Sequence, residues 1–144
     1  MTLDFDIFLK MEGILNCVRA GHNTLILGGP GTGKTTLLKK IIVELLEKKL
    51  NVQALAPTGI AARNLPNGKT VDSFFYFCDG RFTVDEILQL KALDMMTISN
   101  KDVILIDEAS MMSAQKLDQV CVIIFYSYIN FIMSRQNCNI IQTR

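Results

Sequence analysis

Gly28-Gly29-Pro30-Gly31-Thr32-Gly33-Lys34-Thr35-Thr36 fits the pattern G-x-x-x-x-G-K-[ST], with Gly28, Gly33, Lys34 and Thr35 on its fixed positions. The flanks suit the motif. The apolar run Thr24-Leu25-Ile26-Leu27 before it reads as a buried strand. From Thr36 to Leu46, apolar residues recur at helical spacing. A strand, a glycine loop and a helix in that order make a phosphate-binding loop. The glycines let successive backbone N–H groups turn inward toward an anion. The helix adds free N–H groups and the positive end of its dipole. In such a loop Lys34 reaches the β- and γ-phosphates, and the Thr35 hydroxyl ligates Mg²⁺. The alternative is a glycine-rich turn that binds nothing.

The 144 residues make one domain, long enough for an ordinary core. With 49% apolar and 20% charged residues the chain is globular rather than disordered. A net charge of +1 argues neither for nor against nucleic acid, so any basic patch is local. Cys17, Cys78, Cys121 and Cys138 lack C-x-x-C spacing, and His22 is the single histidine. They read as free thiols in a reducing compartment. The N-terminus carries acids instead of a basic region followed by an apolar one, so no secretory signal is expected.

Around the loop, strands and helices alternate. Phe5 to Ala20 is patterned as an amphipathic helix stopped at Gly21. The loop helix runs to about Lys49, and Val52 to Ala56 is a second strand, broken by Pro57. Thr58 caps a short helix over 59–65. Thr70 to Phe77 is either a short helix or extended. Thr83 to Leu93 is helical, with Thr83 and Glu86 forming a capping box. Val103-Ile104-Leu105-Ile106 suits a central parallel strand, with Asp107-Glu108 at its end and a helix starting near Ser110 or Ser113. Alternation of this kind predicts an α/β fold, a parallel sheet covered on both faces, with ligands at the carboxyl ends of its strands. Both the glycine loop and Asp107-Glu108 fall there.

Four apolar residues followed by Asp-Glu suit the acidic partner of a phosphate loop. Asp107 then holds Mg²⁺ with Thr35, and Glu108 polarises the attacking water. The bland alternative is a strand ending in a solvated acidic turn.

Four segments together resemble the PIF family of superfamily-one 5′-to-3′ DNA helicases, relatives of RecD. Gly28 to Thr35 looks like its first motif. Ala56-Pro57-Thr58-Gly59-Ile60-Ala61-Ala62 resembles the next. Gly68 to Phe75 is similar to its G-x-T-x-H-S-F-F segment, with Asp72 at the histidine position. Ile104 to Met112 matches its D-E-A-S-M motif. The resemblance covers about residues 24–118. It implies a RecA-like P-loop NTPase fold, the first motor domain of two, with ATP and Mg²⁺ as cofactors and single-stranded DNA as partner. By position, Gly28 to Thr36 bind the nucleotide, Thr35 and Asp107 the metal, and Lys34, Asp107 and Glu108 act in catalysis. Pro57, Thr58 and Gly59 contact DNA. Phe74 and Phe75 either stack on bases or belong to the core. A monomer is expected, acting in the nucleus or, alternatively, in mitochondria, in repair, recombination or telomere maintenance.

The family's upstream glutamine has no counterpart before Gln53, and its G-D-x-x-Q-L-P segment and second domain are not found after Asp118. Residues 1–118 read as the ATPase domain and 119–144 as a divergent apolar tail. That tail is uncharged from Gln119 to Ser134, shorter than the ~20 residues of a membrane span. It reads as either a core helix or strand, or as sequence foreign to the fold. Two functions are compatible with these residues. One is a helicase motor half that binds ATP and hydrolyses it poorly by itself. The other is a non-motor, nucleotide-binding regulatory or scaffold module.

Overall fold

A computed structural model describes residues 2–20, 22–75, 82–83, 85–86, 89, 98, 100–126 and 130–135. In chain order these give α1 (Thr2–Arg19), β1 (Thr24–Leu27), α2 (Lys34–Glu47), β2 (Val52–Ala56), α3 (Gly59–Arg63), β3 (Lys69–Thr70) and α4 (Val71–Phe75). Then come β4 (Val103–Ile106), a 3₁₀ turn (Ala109–Met111), α5 (Ala114–Tyr126) and β5 (Asn130–Arg135). The five strands make one sheet in the order β1-β5-β4-β2-β3, with every pairing parallel. All carboxyl ends therefore share one edge, where the phosphate loop, the Pro57-Thr58 bend and Asp107-Glu108 gather.

The run Val103-Ile104-Leu105-Ile106 is wholly apolar because both of its faces are covered. Val103 and Leu105 join a layer with Leu38, Ile41, Ile42 and Leu45 of α2 and with Leu15 and Val18 of α1. Ile104 and Ile106 join the opposite layer, with Phe74, Phe75, Val120, Ile123 and Ile124. A three-layer α/β domain results, as the alternation of elements predicts.

Within the stretch read as an apolar tail, residues 119–126 and 130–135 take the alternative of a core helix and strand. α5 runs through Asp118 without interruption, and β5 sits between β1 and β4. Ile132 is fully buried and aligns with Thr24 on one side and Leu105 on the other. The apolar character of this stretch is that of an inner strand. No helix of the described residues is long and apolar enough to cross a membrane.

Local signals account for several boundaries. Thr58 in extended conformation caps α3, its Oγ1 accepting from Ala61 N at 3.2 Å. Ser113 caps α5, accepting from Lys116 N at 3.2 Å. The capping box forms as expected, with Thr83 N donating to Glu86 Oε2 at 2.7 Å and Glu86 N to Thr83 Oγ1 at 3.3 Å. The Thr83 backbone N–H, then its hydroxyl, hold the Glu86 carboxyl below its usual range. Most of the helix expected over 83–93 lies outside the described residues.

Gly68 permits the tight return from α3 into β3. A Cβ there would lie 2.0 Å from the Ala62 carbonyl oxygen and 2.9 Å from its carbon. Gly68→Ala must push backbone against backbone. It is expected to lower stability by about 2–3 kcal/mol, read as an earlier urea midpoint with unchanged slope.

Candidate nucleotide site

β1 delivers the chain to Gly28, and the loop closes through Gly31 (φ +74°) and Gly33 (φ +78°), conformations that L side chains rarely adopt. Gly33 is the N-cap of α2 and offers no side-chain cap, so the first N–H groups of the helix stay available to a ligand. A Cβ on Gly28 would meet Thr32 Oγ1 at 2.7 Å, so the Thr32 side chain would have to turn aside. Lys34 folds back over the loop. Its Nζ donates to the carbonyls of Gly28 (2.8 Å) and Gly29 (2.6 Å) and approaches Thr32 Oγ1 at 3.5 Å. Thr32 Oγ1 in turn donates to Gly29 O at 2.8 Å. Pro30, Gly31, Thr32, Gly33 and Thr36 are exposed, while Gly28, Gly29, Lys34 and Thr35 are half-buried.

The acidic pair arrives on β4. The N–H of Asp107 donates to Leu55 O at 2.9 Å, fixing the end of β4 against β2. Its carboxylate is buried and spans two segments. Oδ2 accepts from Thr35 Oγ1 at 2.8 Å, and Oδ1 accepts from Glu108 N at 2.9 Å. Residues 72 positions apart in the chain thus meet as the sequence patterns require. Glu108 lies at φ 55°, ψ 33°, in the left-handed region, which costs a non-glycine residue about 1–2 kcal/mol. Such strain persists where surrounding bonds impose it. Here the Asp107 bond and the 3₁₀ turn closed by Met111 N on Glu108 O (2.9 Å) do so.

Thr35 and Asp107 present two hard oxygens, the ligand type a small divalent cation takes. Among the described residues no group of three His, Cys, Asp or Glu side chains gathers to hold a metal by itself. Phosphate oxygens and water would complete the shell, as is usual for Mg²⁺.

Pro57, Thr58 and Gly59 come after β2 on the same edge, half-buried at Pro57 and Thr58 and exposed at Gly59. Nothing lies within 4 Å of a Cβ built on Gly59, so the backbone there is open to approach. Phe74 and Phe75 correct an expectation. They are 4% and 0% exposed and pack edge to face, centroids 5.0 Å apart, under the sheet. Neither offers a ring to a base, because apolar neighbours of β2, β4 and α5 cover both. Tyr76 and Phe77 lie outside the described residues. Gln53 is a buried structural amide, donating to Ala54 O and Asn67 O at 3.1 Å each. One contact had no sequence signal. Asp72 forms an ion pair with Lys116 of α5, joining the Gly68–Phe75 segment to the helix after the acidic pair. The two residues lie far apart in the chain, and only the fold brings them together.

Residues 14–126 match the family described as AAA domain. The chain is 33% identical over 116 residues to RecBCD enzyme subunit RecD of Buchnera aphidicola subsp. Acyrthosiphon pisum (strain APS), covering 67% of this chain and 19% of that protein. It is 31% identical over 116 residues to ATP-dependent DNA helicase PIF1 of Saccharomyces cerevisiae (strain YJM789), covering 77% of this chain and 13% of the relative. Its fold is similar to the crystal structure of Pif1 helicase from Candida albicans (TM-score 0.74, 28% identity, 87% of this chain and 31% of that one). It is also similar to Bacteroides Pif1 bound to ssDNA (TM-score 0.69, 28% identity, 88% and 31%). The chain thus spans about a fifth or less of these curated relatives' length. The family match extends to residue 126, beyond the limit at 118 expected from the motifs.

Proposed function

The chain belongs to the AAA domain family as a segment of a PIF-type superfamily-one helicase motor, and from that premise we propose that it binds ATP–Mg²⁺ and serves as the ATPase half of a DNA-unwinding motor. The observation that carries this reading is the 2.8 Å bond from Thr35 Oγ1 to Asp107 Oδ2, which ties the phosphate loop to the acidic pair. Lys34 and the N–H groups of the loop hold the phosphates. Thr35 and Asp107 would hold the cation, which would supply positive charge to the phosphate oxygens. Glu108 takes the proton of the attacking water. Pro57, Thr58 and Gly59 bear on the backbone of a single strand. Thr58 Oγ1 accepts from Ala61 N, leaving its hydroxyl hydrogen to donate to a phosphate oxygen. A monomer acting where DNA is held, in the nucleus or in mitochondria, fits the reading.

A second reading is a nucleotide-binding module without motor action. Nucleotide binding needs only the loop and the acidic pair, whereas strand separation needs two lobes that close and open on nucleotide. Calorimetric titration of the 144-residue chain with ATP–Mg²⁺ tests the binding step common to both, and saturable binding is expected. Absence of binding would sink both. A second lobe supplied in trans should bring single-strand-stimulated hydrolysis and unwinding of a 5′-overhang substrate under the motor reading, and neither under the module reading.

A further inference from the structure

Asn67-Gly68 is the one asparagine–glycine pair in the chain, and the backbone calls for both residues. Leu65, Pro66, Asn67 and Gly68 form a turn closed by Gly68 N on Leu65 O at 3.1 Å. Proline in the second place and a positive φ in the third are what a type II turn requires. Asn67 has φ +51°, a conformation asparagine tolerates better than most residues. Gly68 has no room for a side chain, since a Cβ would stand 2.0 Å from Ala62 O. That geometry leaves a reactive pair at the surface, with Asn67 exposed and Gly68 half-buried. The peptide nitrogen after an asparagine can attack the side-chain amide carbon, and a glycine there puts no Cβ in the way. In the fold, the peptide group joining the two residues is pinned at both ends. Its nitrogen donates to Leu65 O, and its oxygen accepts from Gln53 Nε2 at 3.1 Å. Gln53 is buried on β2, and its Nε2 also donates to Ala54 O at 3.1 Å.

We infer that Asn67 is a site of spontaneous conversion to aspartate and isoaspartate, and that Gln53 restrains the conversion by holding that peptide group in place. The step needs only water. Gly68 N loses its proton to solvent base and bonds to Asn67 Cγ. The Cγ–Nδ2 bond breaks, and the departing nitrogen takes up a proton and leaves as ammonia. Water then opens the cyclic imide. Cleavage of the new N–Cγ bond gives aspartate. Cleavage of the original N–C bond gives isoaspartate, whose main chain runs through Cβ and Cγ and is longer by an atom. Ring closure requires the peptide group to turn, which breaks both of its hydrogen bonds. Local opening of this kind has its own free energy, below that of global unfolding. The extra atom of isoaspartate falls where Gly68 already lies against Ala62, just before Lys69 pairs with Leu55. It therefore parts β3, the outermost strand on that side, from β2. A copy of the chain whose turn has opened is thus marked by a new negative charge and a loosened sheet edge.

The test follows the full 144-residue chain at mildly alkaline pH by mass spectrometry of the tryptic peptide 64–69, which holds both Asn64 and Asn67. Exchange of ammonia for water is expected at Asn67, with the product split into two chromatographic isomers and Asn64 unchanged. In denaturing urea the rate is expected to rise about thirtyfold, because both hydrogen bonds of the peptide group are lost. Gln53→Met fills similar space without a donor, and the folded variant should convert about fivefold faster than the parent. In urea, variant and parent should convert alike, which separates the restraint from the chemistry. Gln53→Asn, whose amide is drawn back by one carbon, takes its place where Gln53→Met shows no cooperative urea transition. Conversion at Asn64 instead of Asn67, or none at all in urea, overturns the site. Equal rates for the folded and unfolded parent overturn the restraint, and a parent-like rate in a folded Gln53 variant removes Gln53 from it.

Discussion

Lys34→Ala is expected to lower ATP–Mg²⁺ affinity about a hundredfold or more and to remove hydrolysis with it. Lys34 is the one charged residue between Gly28 and Thr36. Its Nζ already bonds the Gly28 and Gly29 carbonyls at 2.8 and 2.6 Å, so the ammonium lies against the backbone that would enclose the phosphates. A hydrogen bond involving a charged group contributes about 1.5–3 kcal/mol, and two to phosphate oxygens reach the hundredfold range. Lys34→Arg separates charge from shape. The planar guanidinium keeps the charge but is wider than an ammonium, so it too should lose most of the affinity. Neither change touches Leu37, Leu38, Ile41, Ile42 or Leu45, which anchor α2. Stability should then shift by no more than about 1 kcal/mol. Titration calorimetry of folded variants gives the answer, and parent-like binding by Lys34→Ala would remove the basis of the proposed function.

The proposed nucleotide site is legible in the sequence because it resides in short contiguous segments. G-x-x-x-x-G-K-T specifies a loop by its glycines. I-L-I-D-E specifies a strand by its apolar run and a site by the two carboxylates that end it. Their meeting at Thr35 and Asp107 is a consequence of parallel topology, which the alternation of strands and helices predicts. The features that escaped the sequence depend on faces and on long-range contacts. Val71, Phe74 and Phe75 are apolar whether they face a base or the core. Only the packing of α4 beneath β2 and β4 decides for the core. The Asp72–Lys116 pair and the Gly68–Ala62 contact likewise join segments whose approach no local pattern encodes. The tail stayed open between alternatives for a related reason. An inner strand of a parallel sheet is buried on both faces and shows no alternation. Asn130 to Arg135 therefore reads as an apolar stretch of no fixed type until β1 and β4 are seen on either side of it.

That position makes β5 the element whose loss should do the most damage. A chain ending at Asp118 is expected not to fold, although every nucleotide-binding motif lies within it. The cut removes the last two turns of α5 and all of β5. Val120, Ile123, Ile124 and Ile132 are at most 2% exposed. At about 1.5–3 kcal/mol each, their burial contributes roughly 6–12 kcal/mol. Domains of this size are stable by only about 5–15 kcal/mol in total. The backbone loss adds to this. β1 pairs, among the described residues, with β5 alone, from Thr24↔Ile132 to Leu27↔Arg135. Without β5 the strand that presents the phosphate loop has no partner, and Ile104 and Leu105 of β4 lose cover along one edge. Urea unfolding monitored by circular dichroism should show a cooperative transition for residues 1–144 and none for residues 1–118. ATP–Mg²⁺ binding should vanish with the transition, though Lys34, Thr35, Asp107 and Glu108 are all retained. Cooperative unfolding and nucleotide binding by the shorter chain would instead place the domain boundary at Asp118 and make β5 an addition to a sheet that stands without it.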